Sequence, residues 1–579
     1  MKLITVLFAA VCLFVQAPVL FSQSVFLELN LNNQSVRDAM LQTTPGTHLD
    51  ILRVLERAGN DNRIDGIVIN ISAFNAGHEI MWELRHAMED FKARGKKIVA
   101  FISAADLNLY YLATVADKIV MDDQGTLMLL GYVWGRGYAR DGLQKLGVGV
   151  RELRYFEYKS AVETFTRNSI SDADRRQYGE WLDDVMSVTS EAITESRSIT
   201  ANEFYSIINN EFLFSAISAL ERGLVDVTGR RQAVIDTVTE MTGSAVEFVV
   251  FGDSETGITD SVQPYGPGRV MGGGGRMNRR TPIIAVINAD GATDMERGMS
   301  ARALARTIDA VSRRKRVEAI VLRINSPGGS AEAADHIAEA VRSARERMPV
   351  VVSMGSVAAS GGYWAAMNAN HIMASPVTLT GSIGVIGTWF YDNGLNEKLG
   401  LTVDTIQRGN HADLMSGVIL PKRDLNEVEQ ARFRRYIVDH YFIFTTKVAE
   451  SRGMEIDSVL DVAQGRVFSG IGALNAGLID SIGGLGHAIK VAKELAGIPD
   501  NQGVAFEQLP RPTFLDRLIA SLSRMLVRSR AVVNLAGSPT VETALFMTEL
   551  LPATVVEDVR FRIANNGRVM PVLPMDSWR

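Results

Sequence analysis

Apolar residues along this chain follow two rhythms that alternate. Continuous apolar runs of strand length, "GIVINI" (66–71), "KKIVAFIS" (96–103), "AIVLRI" (319–324) and "PVVVSMG" (349–355), suit strands of a sheet covered on both faces. Between them the spacing changes to three and four: Ile80, Leu84, Met88 and Phe91 in one region, Ile337 and Val341 in another, each predicting an amphipathic helix. Strand, helix, strand, helix in this order predicts an α/β fold with parallel β-sheets covered by helices.

The pattern also repeats. A shift of 253 positions lays residues 64–150 on 317–403 without a gap: "IDGIVINIS" falls on "VEAIVLRIN", and Lys145-Leu146-Gly147 on Lys398-Leu399-Gly400. The match resumes after one inserted residue, where "FSAISALERGLVD" (214–226) meets "FSGIGALNAGLID" (468–480). Several matches in one order define two copies of one fold. The expected domains are a first copy over 24–250, a Gly-rich linker over 251–281 containing four consecutive glycines, and a second copy over 282–500. Residues 501–579 form a tail in which Phe514, Leu518, Leu522 and Leu526 mark an amphipathic helix. Residues 1–23 hold an apolar run from Leu3 to Val15, broken by Gln16 and Pro18, that reads as an export signal or a membrane anchor.

Composition narrows the functional classes. Lys and Arg number 60 against 66 Asp and Glu, mixed along 579 residues, so the net charge of −6 offers no footprint for nucleic acid. The single cysteine, Cys12, permits neither an intrachain disulfide nor a cysteine metal cluster.

Positions where the copies differ carry the candidate chemistry. The second copy has "NSPGGS" (325–330) where the first has "SAFNAG" (72–77). Gly328 and Gly329 there permit either a plain turn or one whose N–H groups face an anion or developing oxyanion. "MGSVAASGGYW" (354–364) holds two serines. Ser356 matches Ser103 of the first copy, whereas Ser360 matches Leu107, which favours Ser360 as a nucleophile. Ser360 falls between a strand and a helix, where its hydroxyl is expected to be exposed and the Gly361 N–H free to face an oxyanion. A serine needs a base. His336 and His371 are the nearest histidines and more commonly such residues sit at surfaces or caps; GxSxG is absent around Ser360, so an α/β-hydrolase elbow is not supported.

"NSPGGS", "SMGSVAASGGYW", "LTGSIGV" and, in the first copy, "YKSAVE" (158–163) resemble the motifs of the signal peptide peptidase A (protease IV) family in its long two-repeat form, over about residues 60–490. The resemblance implies a tandem of Clp-protease or crotonase-like units and a Ser/Lys dyad, with Ser360 as nucleophile, Lys159 as general base, Ser382 hydrogen-bonded to that lysine, and the Gly328-Gly329 turn in the oxyanion hole. The repeat register tests this independently. Lys159 lies 52 positions after Leu107, and 52 positions after Ser360 comes Ala412, so each copy has kept the residue that the other lost.

The same resemblance implies digestion of cleaved signal peptides at a membrane, facing the periplasm, by a homotetramer that needs no metal or cofactor. Tyr363, Trp364 and Ile386 could line a cleft for apolar peptides or pack in the core. Two other classes stay open: a crotonase-like acyl-CoA enzyme, which uses the same fold, and a non-catalytic membrane scaffold.

Overall fold

The structure, a computed structural model, describes residues 23–31, 47–72, 74, 76–250, 263–264, 281–499 and 502–510. The expected export segment, nearly all of the Gly-rich linker and the helix around 514–526 lie outside the described residues. Among the described residues no helix is long and apolar enough to cross a membrane.

The first copy is built from β1 (Ser24–Asn30), α1 (Thr47–Asn60), β2 (Gly66–Asn70), α2 (His78–Ala93), β3 (Lys97–Asp106), α3 (Leu107–Ala113), β4 (Lys118–Met128), β5 (Val148–Leu153), α4 (Asp172–Arg197), β6 (Leu213–Ser215), α5 (Arg231–Thr242) and β7 (Val246–Val250). The second repeats the plan with β8 (Ile283–Asp290), α6 (Ala301–Ser312), β9 (Val317–Ser326), α7 (Ala331–Arg345), β10 (Val350–Ala359), α8 (Gly361–Ala366), β11 (His371–Ala374), β12 (Leu379–Gly381), β13 (Gly387–Asp392), α9 (Glu427–Arg452), β14 (Val467–Phe468), α10 (Leu485–Leu495) and β15 (Ala505–Leu509).

Strand order is the same in both sheets: β6-β4-β3-β2-β1-β7 in the first and β14-β12-β10-β9-β8-β15 in the second. Neighbouring strands run parallel, except that the edge strands β6 and β14 pair antiparallel with β4 and β12. Each sheet is therefore parallel apart from one antiparallel edge strand, an arrangement common in α/β folds. The boundary expected at residue 500 also moves. β15 pairs with β8 from Ile283↔Ala505 to Ile287↔Leu509, as β7 pairs with β1, so the second copy runs to Leu509. Sequence matching ended near residue 480 and gave no register for so short a strand.

Alternate residues of the second sheet enter different cores, as the period of two requires. Ala285, Ile287, Ile320, Leu322 and Ile324 face α6 and α7. Ile284, Val286, Ala319, Val321 and Val351 face α10, whose Leu485, Ala488, Ile489 and Ala492 join the core of the first copy around α1 and α2. The copies therefore share a hydrophobic interior. A polar seam crosses it: Arg323 of β9 pairs with Glu79 and Glu83 of α2, and Glu83 also accepts the Leu485 N–H at 3.0 Å and contacts His48 at 2.8 Å. Burial pushes the Glu83 carboxyl up to about 8. Ser356 spends its hydroxyl on this seam, 3.0 Å from Glu79.

A second junction places the site. β5 of the first copy pairs antiparallel with β13 of the second, from Val148↔Asp392 to Leu153↔Gly387. After β5 the chain lies against the second copy, and α4, opened by the Ser171 cap and by Asp172 and Asp174 in its first turn, packs Tyr178, Trp181 and Val185 on Ala359, Val377, Leu379 and Val467.

Candidate active site

β10 delivers Ser360 to the mouth of a strand-to-helix turn. Its backbone takes φ 55° and ψ −114°, a conformation that costs a non-glycine residue free energy and is held only where the surroundings dictate it. The surroundings here are the Ser360 N–H, which donates to the Gly381 carbonyl at 2.7 Å, and α8, whose Trp364 N–H returns to the Ser360 carbonyl at 2.9 Å. Ser360 is fully buried, which corrects the expectation of an exposed hydroxyl. The layer that covers it comes from the first copy, an arrangement that local sequence around Ser360 does not reveal.

That layer carries Lys159. Its Nζ lies 2.7 Å from Ser360 Oγ, 2.7 Å from the Ser382 carbonyl oxygen and 2.9 Å from Ser382 Oγ. Lys159 is buried, and burial holds its amine well below the usual lysine range because an ammonium loses its hydration there. Ser382 also has a positive φ, 53°, and is fixed by its N–H to the Arg466 carbonyl at 2.7 Å.

The "NSPGG" turn abuts this pair. A Cβ built on Gly361 would stand 3.2 Å from both Gly328 Cα and Gly329 N, so α8 and the turn touch backbone to backbone. Of the two turn glycines expected at an oxyanion hole, Gly328 donates its N–H to Ser326 Oγ at 3.2 Å. Thr293, not singled out in the sequence, braces the turn: its N–H donates to the Gly328 carbonyl at 2.9 Å and its carbonyl accepts the Ser330 N–H at 2.8 Å.

Other candidates lie elsewhere. His371 is 2.8 Å from Ser481, and His336 is exposed on α7. Tyr363 donates its hydroxyl to the Leu478 carbonyl at 2.9 Å and Trp364 stacks on Phe444 at 4.2 Å, so both pack in the core of the second copy, and Ile386 is buried just before β13.

Sequence reading missed a buried polar group behind the lysine. Arg136 and Asp174, both without side-chain exposure, pair at 2.8 Å; Arg136 donates to the Ser160 carbonyl at 2.9 Å, and Ser160 donates its hydroxyl to Asp174. Gln177 donates to Asp174 Oδ1 at 2.7 Å and accepts the Val467 N–H of the second copy at 3.0 Å. These are ordinary residue types at no telling spacing; only the fold brings them together.

A buried serine in strained backbone, an amine at hydrogen-bond distance and a glycine turn alongside are the parts of a serine hydrolase. Comparison with known proteins specifies the class: residues 90–244 and 342–499 match the model of Peptidase family S49, and residues 292–378 that of Clp protease. The chain belongs to peptidase family S49 and is a serine peptidase. It is 32% identical to the chloroplastic serine protease SPPA of Arabidopsis thaliana, over 79% of this chain and 67% of that one. It is 31% identical to Protease 4 of Salmonella typhi, over 82% and 76%. Over a shorter stretch, 29% of this chain and 48% of the other, it is 36% identical to a putative signal peptide peptidase SppA of Enterococcus faecium.

Proposed function

We propose that this peptidase is a Ser/Lys-dyad endopeptidase in which the second copy supplies the nucleophile Ser360 and the first the general base Lys159. The observation that carries this reading is the 2.7 Å contact between a buried lysine amine and a buried serine hydroxyl. A neutral amine has two N–H bonds and one lone pair. The Ser382 carbonyl can only accept, so one N–H goes to it at 2.7 Å and the other to Ser382 Oγ at 2.9 Å, leaving the lone pair for the Ser360 O–H. At an ordinary pKa near 10.4, fewer than about one lysine in a thousand would be neutral at pH 7; burial removes that barrier.

Catalysis follows from these positions. As Ser360 Oγ attacks a peptide carbonyl carbon, its proton moves to Lys159 Nζ and the carbonyl electrons collect on oxygen, facing the Gly361 and Gly329 N–H groups. Collapse expels the amine, which takes the proton from Lys159, and leaves an acyl-enzyme. Water then gives a proton to Lys159 as its oxygen attacks the ester carbon, and collapse of that intermediate breaks the bond to Ser360 Oγ, which takes the proton back from Lys159 and leaves the acid product. An acyl-CoA enzyme of this fold would want a carboxylate at this place; the group at Ser360 Oγ is an amine.

Cleaved signal peptides and other apolar peptides are the proposed substrates, after the name of the Enterococcus relative. The apolar segment Leu3–Val15 supports work at a membrane on its exported, periplasmic side, with the segment either anchored or cleaved.

Head-to-tail association of copies, as in the homotetramer that the family resemblance implies, is supported by repetition of the β5·β13 junction. Residues buried in or next to it have exposed counterparts 253 positions away: Leu153 is 3% exposed and Ile406 93%, Ile386 2% and Val133 92%. Residues 401–406 of one chain laid antiparallel on 134–139 of the next would reproduce the junction between chains, head to tail, as closed rings require.

Ser360→Ala and Lys159→Ala test the dyad. Each is expected to lower peptidase turnover at least about a thousandfold while keeping the unfolding transition, a loss typical of removing one member of a catalytic unit. Wild-type turnover by either variant contradicts the proposal.

A further inference from the structure

A turn of the second copy encloses the stem of Lys159 so closely that a side chain is missing where the lysine passes. A Cβ built on Gly465 would stand 2.5 Å from Lys159 Cβ, 2.7 Å from its Cα and 2.8 Å from its Cδ. On another side, a Cβ on Gly384 would stand 3.3 Å from Lys159 Cδ and 2.8 Å from Gly465 Cα. The lysine thus threads a slot between two glycines of the other copy. The slot is tied at both ends. Gly465 N–H donates to the Ile383 carbonyl at 2.8 Å, the Gln464 carbonyl accepts the Tyr158 N–H at 3.2 Å, and the Arg466 carbonyl accepts the Ser382 N–H at 2.7 Å. Gln177 spans the gap between copies, donating to the Tyr158 carbonyl at 3.2 Å while accepting the Val467 N–H at 3.0 Å. One short turn therefore touches the residue before the lysine, the lysine stem and the serine that holds its nitrogen. In the first copy the position of Gly465 is occupied by Glu211, beside a site that has no lysine to admit.

We infer that Gly465 and Gln177 are positioning residues for the peptidase reaction: they set the place of the Lys159 amine between Ser360 and Ser382. This rests on the reading of Lys159 as the base. Any Cβ at Gly465 displaces the stem, parts Nζ from Ser360 Oγ and opens the slot to water, so the amine recovers proton affinity.

The test separates space from backbone strain. Gly465 has φ 82°, which asparagine tolerates better than most residues, and Gly453 has φ 62° with nothing within 4 Å of its would-be Cβ. Gly465→Asn is expected to lower kcat about a hundredfold and to move the acid limb of kcat/KM upward, while Gly453→Asn leaves both unchanged. Gln177→Met, similar in volume but without the bridge, is expected to move the limb the same way with about a tenfold loss. A folded Gly465→Asn with wild-type kcat and an unmoved limb overturns the inference. Should that variant fail to fold, an unchanged profile in Gln177→Met overturns it. Lys159→Ala distinguishes the two levels: if it is inactive while Gly465→Asn is normal, only this inference falls, and if it retains turnover the dyad falls and this inference with it.

Discussion

The two copies share a strand order but differ at most positions of their sequence, and on the proposed reading a few of those differences decide which copy can hold a nucleophile. At the turn from the third long strand to its helix, the first copy has Leu107, buried in the core, and the second has Ser360. Leu129 stands where Ser382 holds the lysine nitrogen, and Glu211 where Gly465 admits its stem. The fold is a common scaffold; on the proposed reading the chemistry sits at one junction, while buried Leu107 and Leu129 occupy the matching positions at the other.

The comparison can be broken by rebuilding the silent position. In a Ser360→Ala background, Leu107→Ser with Ala412→Lys is expected to recover no turnover, at least about a thousandfold below wild type, because "SAFNAG" lacks the glycine turn. Recovery in a peptide-cleavage assay would show that two residues suffice. The proposed chain-to-chain junction is the next largest effect: Ile406→Lys should convert an assembled protein to single chains in light scattering, since one charge at the core of an interface leaves an unpaired desolvated group. Assembly unchanged would remove these surfaces from the contact. Ser382→Ala, which removes one of the lysine's three partners, should cost about tenfold to a hundredfold in kcat, comparable to losing one oriented hydrogen bond in a site.

The smallest effect concerns stability. Burial lowers the Lys159 pKa, so between that lowered value and the ordinary one near 10.4 the unfolded chain binds a proton that the folded chain does not. Stability is therefore diminished at low pH and regained as pH rises toward 10.4. Lys159→Met should raise the unfolding midpoint at pH 7 by about 2–4 °C, the shift that about 1 kcal/mol produces in a large domain, and less at pH 10. An equal change at both values would mean that the amine carries its charge in the fold.

Much of this plan could be read from the chain. Apolar runs located β2, β3, β9 and β10, and helical spacing located α2 and α7, because a sheet covered on both faces writes its burial directly into residue order. The family resemblance points to Lys159, Ser360 and Ser382, and the 253-residue register separately sets Ser360 against Leu107 and Lys159 against Ala412; the fold brings the three residues within hydrogen-bond distance. What stays hidden depends on contacts between residues far apart in the chain. Arg136, Asp174 and Gln177 are polar residues that only the fold brings together, Gln177 also reaching Val467 of the second copy, and β15 is a five-residue strand whose pairing is dictated by a partner more than two hundred positions upstream. Tyr363 and Trp364 carry no mark in sequence that distinguishes a cleft wall from a core.

The separation of Lys159 from Ser360 has a consequence for synthesis. A growing chain displays the amine first and the hydroxyl 201 residues later, and the turn at Gly465 that completes the lysine's enclosure comes later still. On the proposed mechanism, a truncated product ending before residue 360 has no nucleophile, and one ending before Gly465 has no finished base. Proteolytic capacity would switch on only when nearly the whole molecule has been made and its halves have closed on each other, so incomplete chains are harmless to their surroundings.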